Sequence, residues 1–228
     1  MDYNLTNTFD FLNRLAKNNN REWFAEHKSE YLEVYDSMIG FANTLLSEMQ
    51  KHDHIETASG KKSLYRIYRD IRFSKDKTPY KNNLGGSFRR STSLLRGGYY
   101  YHIQPRNSFV AGGFWGPNKE DLLHIRKHIA LEAQPLRDVL NSTSFKENFG
   151  TLLGEQLKTA PKGFDKDHEA IDLLRYKQFV IRHSFTDKEV LAPNFHLEMA
   201  EMFKQMRPFF DYMSEILTTD LNGTPLEG

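Results

Sequence analysis

The sequence predicts an α+β fold in a single domain over residues 1–228, in which N- and C-terminal helices cover a central antiparallel sheet. Three observations support this prediction. Apolar residues recur at steps of three and four before residue 50 and after residue 193, which is the helical period. Between residues 84 and 114, short apolar runs are bounded by Gly, Pro and Asn, as strands are. The chain has 39% hydrophobic and 27% charged residues, a composition typical of folded globular proteins.

Two helices are predicted before residue 50. Thr8 is expected to cap a short first helix that ends near residues 18–20. Asn20 is expected to cap a second, long helix, with Glu22 placed favourably in its first turn. The apolar stripe of this helix begins at Trp23 and runs to about residue 50.

The middle of the chain is expected to form the sheet. Residues 84–88, 99–103 and 109–114 are expected to be strands of an antiparallel hairpin or meander, with a turn at residues 105–108. Residues 61–81 fit a helix and a strand about equally well. We favour a strand start followed by a structured loop, because the second half of this stretch is rich in turn-forming residues.

Helices are predicted again after the sheet. Asn118 is expected to cap a helix that has two acidic residues in its first turn. A shorter helix is expected at residues 145–152, and a further strand at residues 179–181. A last helix is expected to open at Pro193 and to be kinked by Pro208.

Several classes of protein are excluded by what the sequence lacks. It contains no cysteine, so disulfides, thiolate metal sites, iron–sulfur clusters and a cysteine nucleophile are excluded. Residues 1–5 show neither the basic nor the apolar region of a signal peptide, and no apolar run is long enough to span a membrane. We therefore expect a cytoplasmic protein without a membrane partner.

The net charge of +1 hides a strong asymmetry along the chain. Residues 61–119 contain 13 Lys or Arg and only two acids, Asp70 and Asp76, so this stretch carries a formal charge of +11. The rest of the chain must then carry a charge of −10. Such asymmetry indicates a surface that meets an anionic partner.

The richest chemistry lies in the basic segment, which we define as residues 61–81. Eight basic residues alternate there with four aromatic ones. Guanidinium groups suit bidentate phosphate contacts, and aromatic rings can stack on bases. The predicted ligand-binding residues are Arg66, Arg69, Arg72, Lys75, Lys77, Tyr80, Lys81 and Arg89. The alternative interpretation is that the arginines bond Asp70, Asp76 or backbone carbonyls and only hold a loop in place.

The candidates for catalysis are Asp70, Asp76, His102 and His183. A carboxylate flanked by arginines stays ionised, which suits a ligand-orienting or metal-binding role better than general-acid catalysis, and a plain ion pair is the alternative. A histidine on the basic surface could act as a general base, and a hydrogen-bonded structural histidine is the alternative. His124 and His128 have a spacing that a metal could use, but the basic residues between them favour a solvated helix face. We predict no metal site and no cofactor.

Four strings of the sequence carry a resemblance to a known family. They are residues 18–24, 65–81, 112–117 and 161–165, of which the second is the longest and most specific. Together they resemble the bacterial and fungal conserved hypothetical proteins called domain of unknown function 2461, and the similarity covers nearly the whole chain. The resemblance implies a single-domain protein, and it implies no reaction, cofactor or catalytic residue.

Three functions are compatible with these observations. We favour a phosphate- or anion-binding module, with nucleic acid among its candidate ligands, that uses the Arg/Lys/Tyr surface. The first alternative is an enzyme that acts on an anionic substrate by Asp/His acid–base or metal chemistry, and it requires a concave pocket that holds these groups together. The second is a protein-interaction domain whose basic side meets an acidic partner or another copy of the chain. The sequence leaves the oligomeric state open.

Overall fold

The computed structural model describes residues 3–226. The expectation that no signal peptide is present rests in part on residues 1 and 2, which lie outside the described residues. The predicted fold class is confirmed: the chain is α+β, with a four-stranded antiparallel sheet and helices at its N- and C-terminal ends. Within residues 3–226, no helix is long and apolar enough to cross a membrane.

Four helices precede the sheet: α1 (Leu5–Lys17), α2 (Arg21–Glu26), α3 (Lys28–Met49) and α4 (Gly60–Ser63). The side chain of Asn4 caps α1 by accepting a hydrogen bond from the Asn7 N–H, so the cap predicted at Thr8 is wrong. Thr8 is instead buried inside the helix, where its hydroxyl donates to the Asn4 carbonyl at 3.2 Å. The cap predicted at Asn20 is confirmed, since its side chain accepts from the Trp23 N–H.

The long helix predicted after Asn20 is interrupted at His27, which separates α2 from α3. The His27 ring stacks on Trp23 with ring centroids 4.0 Å apart, and its Nδ1 lies 2.8 Å from the Trp23 carbonyl oxygen. A side chain that bonds a carbonyl of the preceding turn competes with the helical ladder. The apolar period continues through the break, which is why the sequence pattern does not reveal it.

The sheet consists of β1 (Leu84–Arg89), β2 (Gly98–Ile103), β3 (Ser108–Phe114) and β4 (Phe179–Phe185), hydrogen-bonded in the order β1-β2-β3-β4. All four predicted strands are confirmed, and β4 extends four residues beyond its predicted end at residue 181. The turn between β2 and β3 contains Arg106 with φ at 64°, a left-handed conformation that is uncommon for a residue with a Cβ atom.

The remaining helices are α5 (Lys119–Leu131), α6 (Gln134–Asn141), α7 (Thr143–Phe149), α8 (Ile171–Leu174), α9 (Asp187–Val190), α10 (Phe195–Gln205) and α11 (Arg207–Thr218). Asn118 caps α5 as predicted. The kink predicted at Pro208 is a full break at Met206, because Pro208 lies in the first turn of a new helix, where its missing N–H costs nothing. Helices α4, α6, α8 and α9 were not predicted.

The described residues group into two compact units. The first unit comprises residues up to Phe88 together with Tyr100–Val110 and Ser184–Glu201. The second comprises Arg89–Tyr99, Ala111–His183 and the residues from Met202 onwards. The expectation of a single domain stays a prediction.

Each unit has an aromatic core of its own. In the first unit, the Phe41 ring lies 6.3 Å from Tyr101 and 6.0 Å from Phe195. In the second unit, the Tyr99 ring lies 5.0 Å from Phe203 and 4.9 Å from Phe210. Aromatic pairs at these distances add to the stabilisation that comes from burying their area.

Candidate functional site

The basic segment forms a loop that folds back on itself in the first unit. Residues 61–63 belong to α4, and isolated β-bridges then pair Leu64 with Gly86 and Tyr68 with Tyr80, so the predicted strand start is a helical turn followed by an extended stretch with single bridges. The Lys81 N–H donates to the Ile67 carbonyl at 2.8 Å, which closes the loop across its base. The residues between them form the structured loop that the turn-rich sequence predicts.

Asn19 fastens the base of this loop to the N-terminal helices. Its side-chain amide donates to the Tyr80 carbonyl at 2.9 Å, and its Oδ1 accepts from the Tyr80 N–H at 3.1 Å. The Tyr80 ring is buried and stacks on Phe24 with centroids 3.9 Å apart. Tyr80, a predicted ligand-binding residue, therefore lies in the packing between the loop and α2.

Arg69 and Asp76 hold the tip of the loop. The Arg69 Nη1 donates to Asp76 Oδ2 at 2.5 Å and to the Thr78 carbonyl at 3.2 Å, and it also contacts the Thr78 hydroxyl. The Thr78 N–H donates to Asp76 Oδ1 at 2.9 Å. This backbone bond first, and the Arg69 and Thr78 side chains next, lower the pKa of Asp76 to about 2. The carboxylate is thus an internal anchor for the loop.

Asp70 and Arg72 form a second ion pair, which is exposed. Arg72 donates from Nε to Asp70 Oδ1 at 3.0 Å and from Nη2 to Oδ2 at 2.7 Å. These bonds are the main reason why the pKa of Asp70 is lowered, so its carboxylate is ionised at neutral pH. Nearby, the Lys77 ammonium donates to the Ile71 carbonyl at 2.9 Å. The alternative interpretation of the arginines therefore describes Arg69 and Arg72 well.

Four predicted cations form no ion pair with a carboxylate among residues 3–226, namely Arg66, Lys75, Lys81 and the Lys77 just described. Arg66 and Lys75 are exposed, and their side chains form no hydrogen bond or ion pair with residues 3–226. Lys81 is half-buried; its ammonium donates to the Arg66 carbonyl at 2.9 Å and lies 5.7 Å from the Tyr65 ring centroid. Burial, followed by the nearby Arg66 charge, lowers the pKa of Lys81 below its usual 10.5.

Lys81 lines a cavity of about 330 Å³ in the first unit, which we call the basic cavity. Its lining residues are Tyr65, Arg69, Asp70, Lys81, Asn83, Gly85, Tyr100 and His102. Half of them were predicted as site residues from the sequence, and Tyr65, Asn83, Gly85 and Tyr100 were not. The spacing of two between Tyr100 and His102 on one strand could have indicated that their side chains share a face of the sheet.

His102 is held in a hydrogen-bonded row on the face of β2. Its Nδ1 lies 2.8 Å from the Tyr100 hydroxyl, and its Nε2 lies 2.8 Å from Gln104 Oε1. Because the Gln104 oxygen can only accept, the neutral ring carries its proton on Nε2, and Nδ1 accepts from Tyr100. Burial raises the pKa of Tyr100 to about 12, so the hydroxyl keeps its proton. The ring also stacks on Phe109 at 4.5 Å.

Several predicted site residues lie away from the basic cavity. Asp76, Arg72, Lys75 and Lys77 belong to the same loop but do not line the cavity. Residues of the second unit, His183 and Arg89, do not line it either. The Nδ1 of His183 lies 2.7 Å from the Asn148 carbonyl, which is the structural role named as the alternative for this histidine.

A larger cavity of about 580 Å³ lies along α1 and α3 in the first unit. Its charged lining residues are Asp10, Arg14, Glu30 and Glu33. Arg14 is paired with Glu30, so the remaining charges of this lining are negative. A cavity of this character does not suit the anionic ligand that the sequence predicts.

Comparison with protein-family models matches residues 7–212 to a family described as a conserved hypothetical protein, DUF2461. The match includes the basic segment and every residue that lines the basic cavity. No curated protein and no solved structure matches the chain. The description of the family names no activity, so the function has to be argued from the geometry of the site.

Proposed function

The chain belongs to the DUF2461 family, and on that premise we propose that it binds a small anionic ligand in the basic cavity. The ligand presents a phosphate or carboxylate group to the Lys81 ammonium. One observation carries the proposal: Lys81 is a half-buried cation that lines the cavity, lies near the charge of Arg66, and forms no ion pair with a carboxylate among the described residues.

The electrostatics of Lys81 support an anion at this position. Burial and a neighbouring like charge both disfavour its protonated form. A bound anion would relieve both effects, because it neutralises the repulsion and replaces the water that the ammonium has lost. Asp70 does not supply this compensation, since its carboxylate is bonded to Arg72.

The other lining groups suit a small polar molecule. Tyr65 and Tyr100 offer hydroxyls, and Asn83 offers a carboxamide that can donate or accept. The Tyr65 hydroxyl donates to Ser87 Oγ at 3.0 Å, so its oxygen can still accept a bond from a ligand. The volume of about 330 Å³ is at the lower end of ligand pockets, which favours a compact phosphorylated or carboxylated metabolite over a dinucleotide.

Calorimetric titration with inorganic phosphate and with a phosphate monoester tests the proposal. Lys81→Gln should weaken binding about tenfold or more, because a charge-assisted hydrogen bond is lost. Lys75→Gln is the matched control, since Lys75 is an exposed lysine of the same loop that does not line the cavity. Equal losses in the two variants would mean that the anion responds to the general charge of the loop and would contradict the proposed site.

Acid–base catalysis on the bound ligand is a second candidate function. It rests on the finding that Asp70 and His102 line one cavity, as an enzyme would require. In such a step the Tyr100 oxygen takes a proton from the ligand while the Tyr100 proton moves to His102 Nδ1, which leaves an imidazolium that still donates from Nε2 to Gln104. In an assay with chromogenic phosphate and carboxylate esters, His102→Gln should remove turnover and leave phosphate binding within twofold. Turnover that persists in this variant would reject the assignment.

In a broader form of the proposal, the ligand is nucleic acid and the protein is located in the cytoplasm. The rings of Tyr68 and Phe73 are 50% and 96% exposed, close in sequence to the unpaired Arg66 and Lys75. Exposed rings beside cations can stack on the bases of a single strand whose phosphate reaches Lys81. Imaging of a fluorescent fusion checks the location.

A further inference from the structure

The second unit brings two imidazole nitrogens together at one point. The sequence favours a solvated helix face for His124 and His128, but on α5 both rings are half-buried and face each other. Their Nε2 atoms are 3.2 Å apart, and their planes are inclined at 74°. The Nε2 of His124 also lies 2.8 Å from the carbonyl oxygen of Thr219, directly after α11.

The distance between the two Nε2 atoms is close to an edge of a metal coordination sphere. Zinc takes imidazole nitrogens at about 2.0–2.1 Å, so two of them in a tetrahedral site lie about 3.3–3.4 Å apart. The two Nε2 atoms already have nearly this separation, and the Thr219 carbonyl oxygen adjoins them. The two Nε2 atoms are therefore near the separation that a shared metal requires, and the Thr219 carbonyl oxygen has to move slightly away from His124 Nε2.

We propose that His124 and His128 chelate one divalent transition cation through their Nε2 atoms, with the Thr219 carbonyl oxygen as a third ligand. The proton that His124 Nε2 now donates to Thr219 moves to Nδ1 of the same ring when the metal binds. Within residues 3–226, no group of three or more His, Asp or Glu side chains could hold a metal ion. Water would therefore complete the coordination. The site is separate from the basic cavity.

The donor set predicts which cations bind. Two imidazoles favour Cu²⁺ over Ni²⁺ and Zn²⁺, in the usual order of stability for such ligands. Mg²⁺ and Ca²⁺ prefer oxygen ligands and should not bind. The bound cation would link α5 to the segment that follows α11, so it should raise the melting temperature of the protein.

Calorimetric titration of the chelator-treated protein with ZnCl₂ tests this inference. One equivalent of Zn²⁺ should bind, and His124→Ala and His128→Ala should each weaken its affinity at least tenfold. His54→Ala is the control, because His54 is an exposed histidine that is remote in sequence from α5. Absence of Zn²⁺ binding, or binding that both variants retain, would overturn the proposal.

A second measurement uses the unaltered protein and does not depend on how the variants fold. With one equivalent of Cu²⁺, electron paramagnetic resonance should show coupling to two imidazole nitrogens. The same spectrum should remain in His54→Ala. Coupling to a single imidazole, or to none, would contradict the proposed chelate.

Discussion

The charged residues of the basic segment divide into those that hold the loop and those that remain available to a ligand. Arg69 and Asp76 are bonded to each other and to Thr78, whereas the Lys81 ammonium bonds a carbonyl, lies near the Tyr65 ring and has no carboxylate partner among residues 3–226. The sequence contains the same residue types in both groups, so composition could not separate them. Only the folded loop shows which cations already have a carboxylate.

Asp76→Asn should loosen the tip of the loop, because the carboxylate that receives the Thr78 N–H and Arg69 is lost. Amide hydrogen exchange at Thr78 should become about tenfold faster, as expected for a lost charge-assisted bond. Asp70→Asn is the control, since its partner Arg72 is exposed and does not bond Thr78. Unchanged exchange at Thr78 would contradict the anchoring role.

The pH dependence of the wild-type loop follows from the same carboxylate. The pKa of Asp76 is lowered from 3.8 to about 2 in the folded chain, so its stabilising effect is fully present above pH 3.8. The effect is lost as pH falls through about 2. Exchange at Thr78, corrected for its intrinsic rate, should therefore be steady down to about pH 4 and accelerate below it.

Arg126 is a buried arginine of the second unit whose role is structural. It donates from Nε to the Leu174 carbonyl at 2.9 Å and from Nη2 to the Tyr176 carbonyl at 3.0 Å. Arg126→Ala should lower the free energy of unfolding by about 2–4 kcal/mol, since two carbonyls lose their donors. The exposed neighbour Lys127 gives the control, Lys127→Ala, which should stay within about 0.5 kcal/mol in urea unfolding.

At the scale of helices and strands, helix-cap residues and hydrophobic periodicity predict the structure best where the signal is local. Asn20 and Asn118 cap helices as expected, and the apolar runs between Gly, Pro and Asn mark the strands. The errors arise where the apolar period gives no sign of a helix break or of a very short helix. The stacking of His27 on Trp23 breaks a helix whose apolar period continues, and the short helices α8 and α9 have only four residues each.

The basic cavity was predicted only in part for a related reason. Arg69, Asp70 and Lys81 stand out in the sequence because they are charged. Asn83 and Gly85 reach the cavity through the pairing of β1 with the basic segment, which a single sequence does not reveal. The charged lining residues can therefore be predicted from the sequence, whereas the residues that strand pairing brings to the cavity cannot.

Asn19 connects two elements through its side-chain amide, which bonds the Tyr80 backbone, so removing this side chain tests how the loop is placed. Asn19→Ala deletes both hydrogen bonds to Tyr80 and should lower the free energy of unfolding by about 1–2 kcal/mol. Asn82→Ala is the control, because the exposed side chain of Asn82 forms no hydrogen bond within residues 3–226. Equal urea midpoints for the two variants would show that the clamp is unimportant.

At the scale of the whole molecule, a net charge of +1 is the sum of a +11 stretch and a −10 remainder. Charge of one sign in a continuous stretch attracts polyanions at long range, and salt screens this attraction. The affinity for small phosphate ligands should depend less on salt, because these ligands contact only the cavity. The salt dependence thus distinguishes a small-ligand site from a nucleic-acid surface.

If the broader form of the proposal holds, a fluorescent oligothymidine should bind with an affinity that falls at least tenfold between 50 and 200 mM salt. Phe73→Ser should weaken this binding several-fold, since the ring is 96% exposed and available for stacking. The same variant should leave inorganic phosphate binding unchanged. Binding of the oligonucleotide that salt does not weaken would reject the electrostatic surface.

The proposed anion site depends most on the charge of Lys81, and nuclear magnetic resonance of lysine side chains measures that charge directly. In the free protein, the pKa of Lys81 should lie below 10.5, because burial and Arg66 disfavour the ammonium. Saturating phosphate should raise this pKa and leave that of Lys75 nearly unchanged. A Lys81 pKa that does not move when phosphate is added would contradict the anion site in the basic cavity.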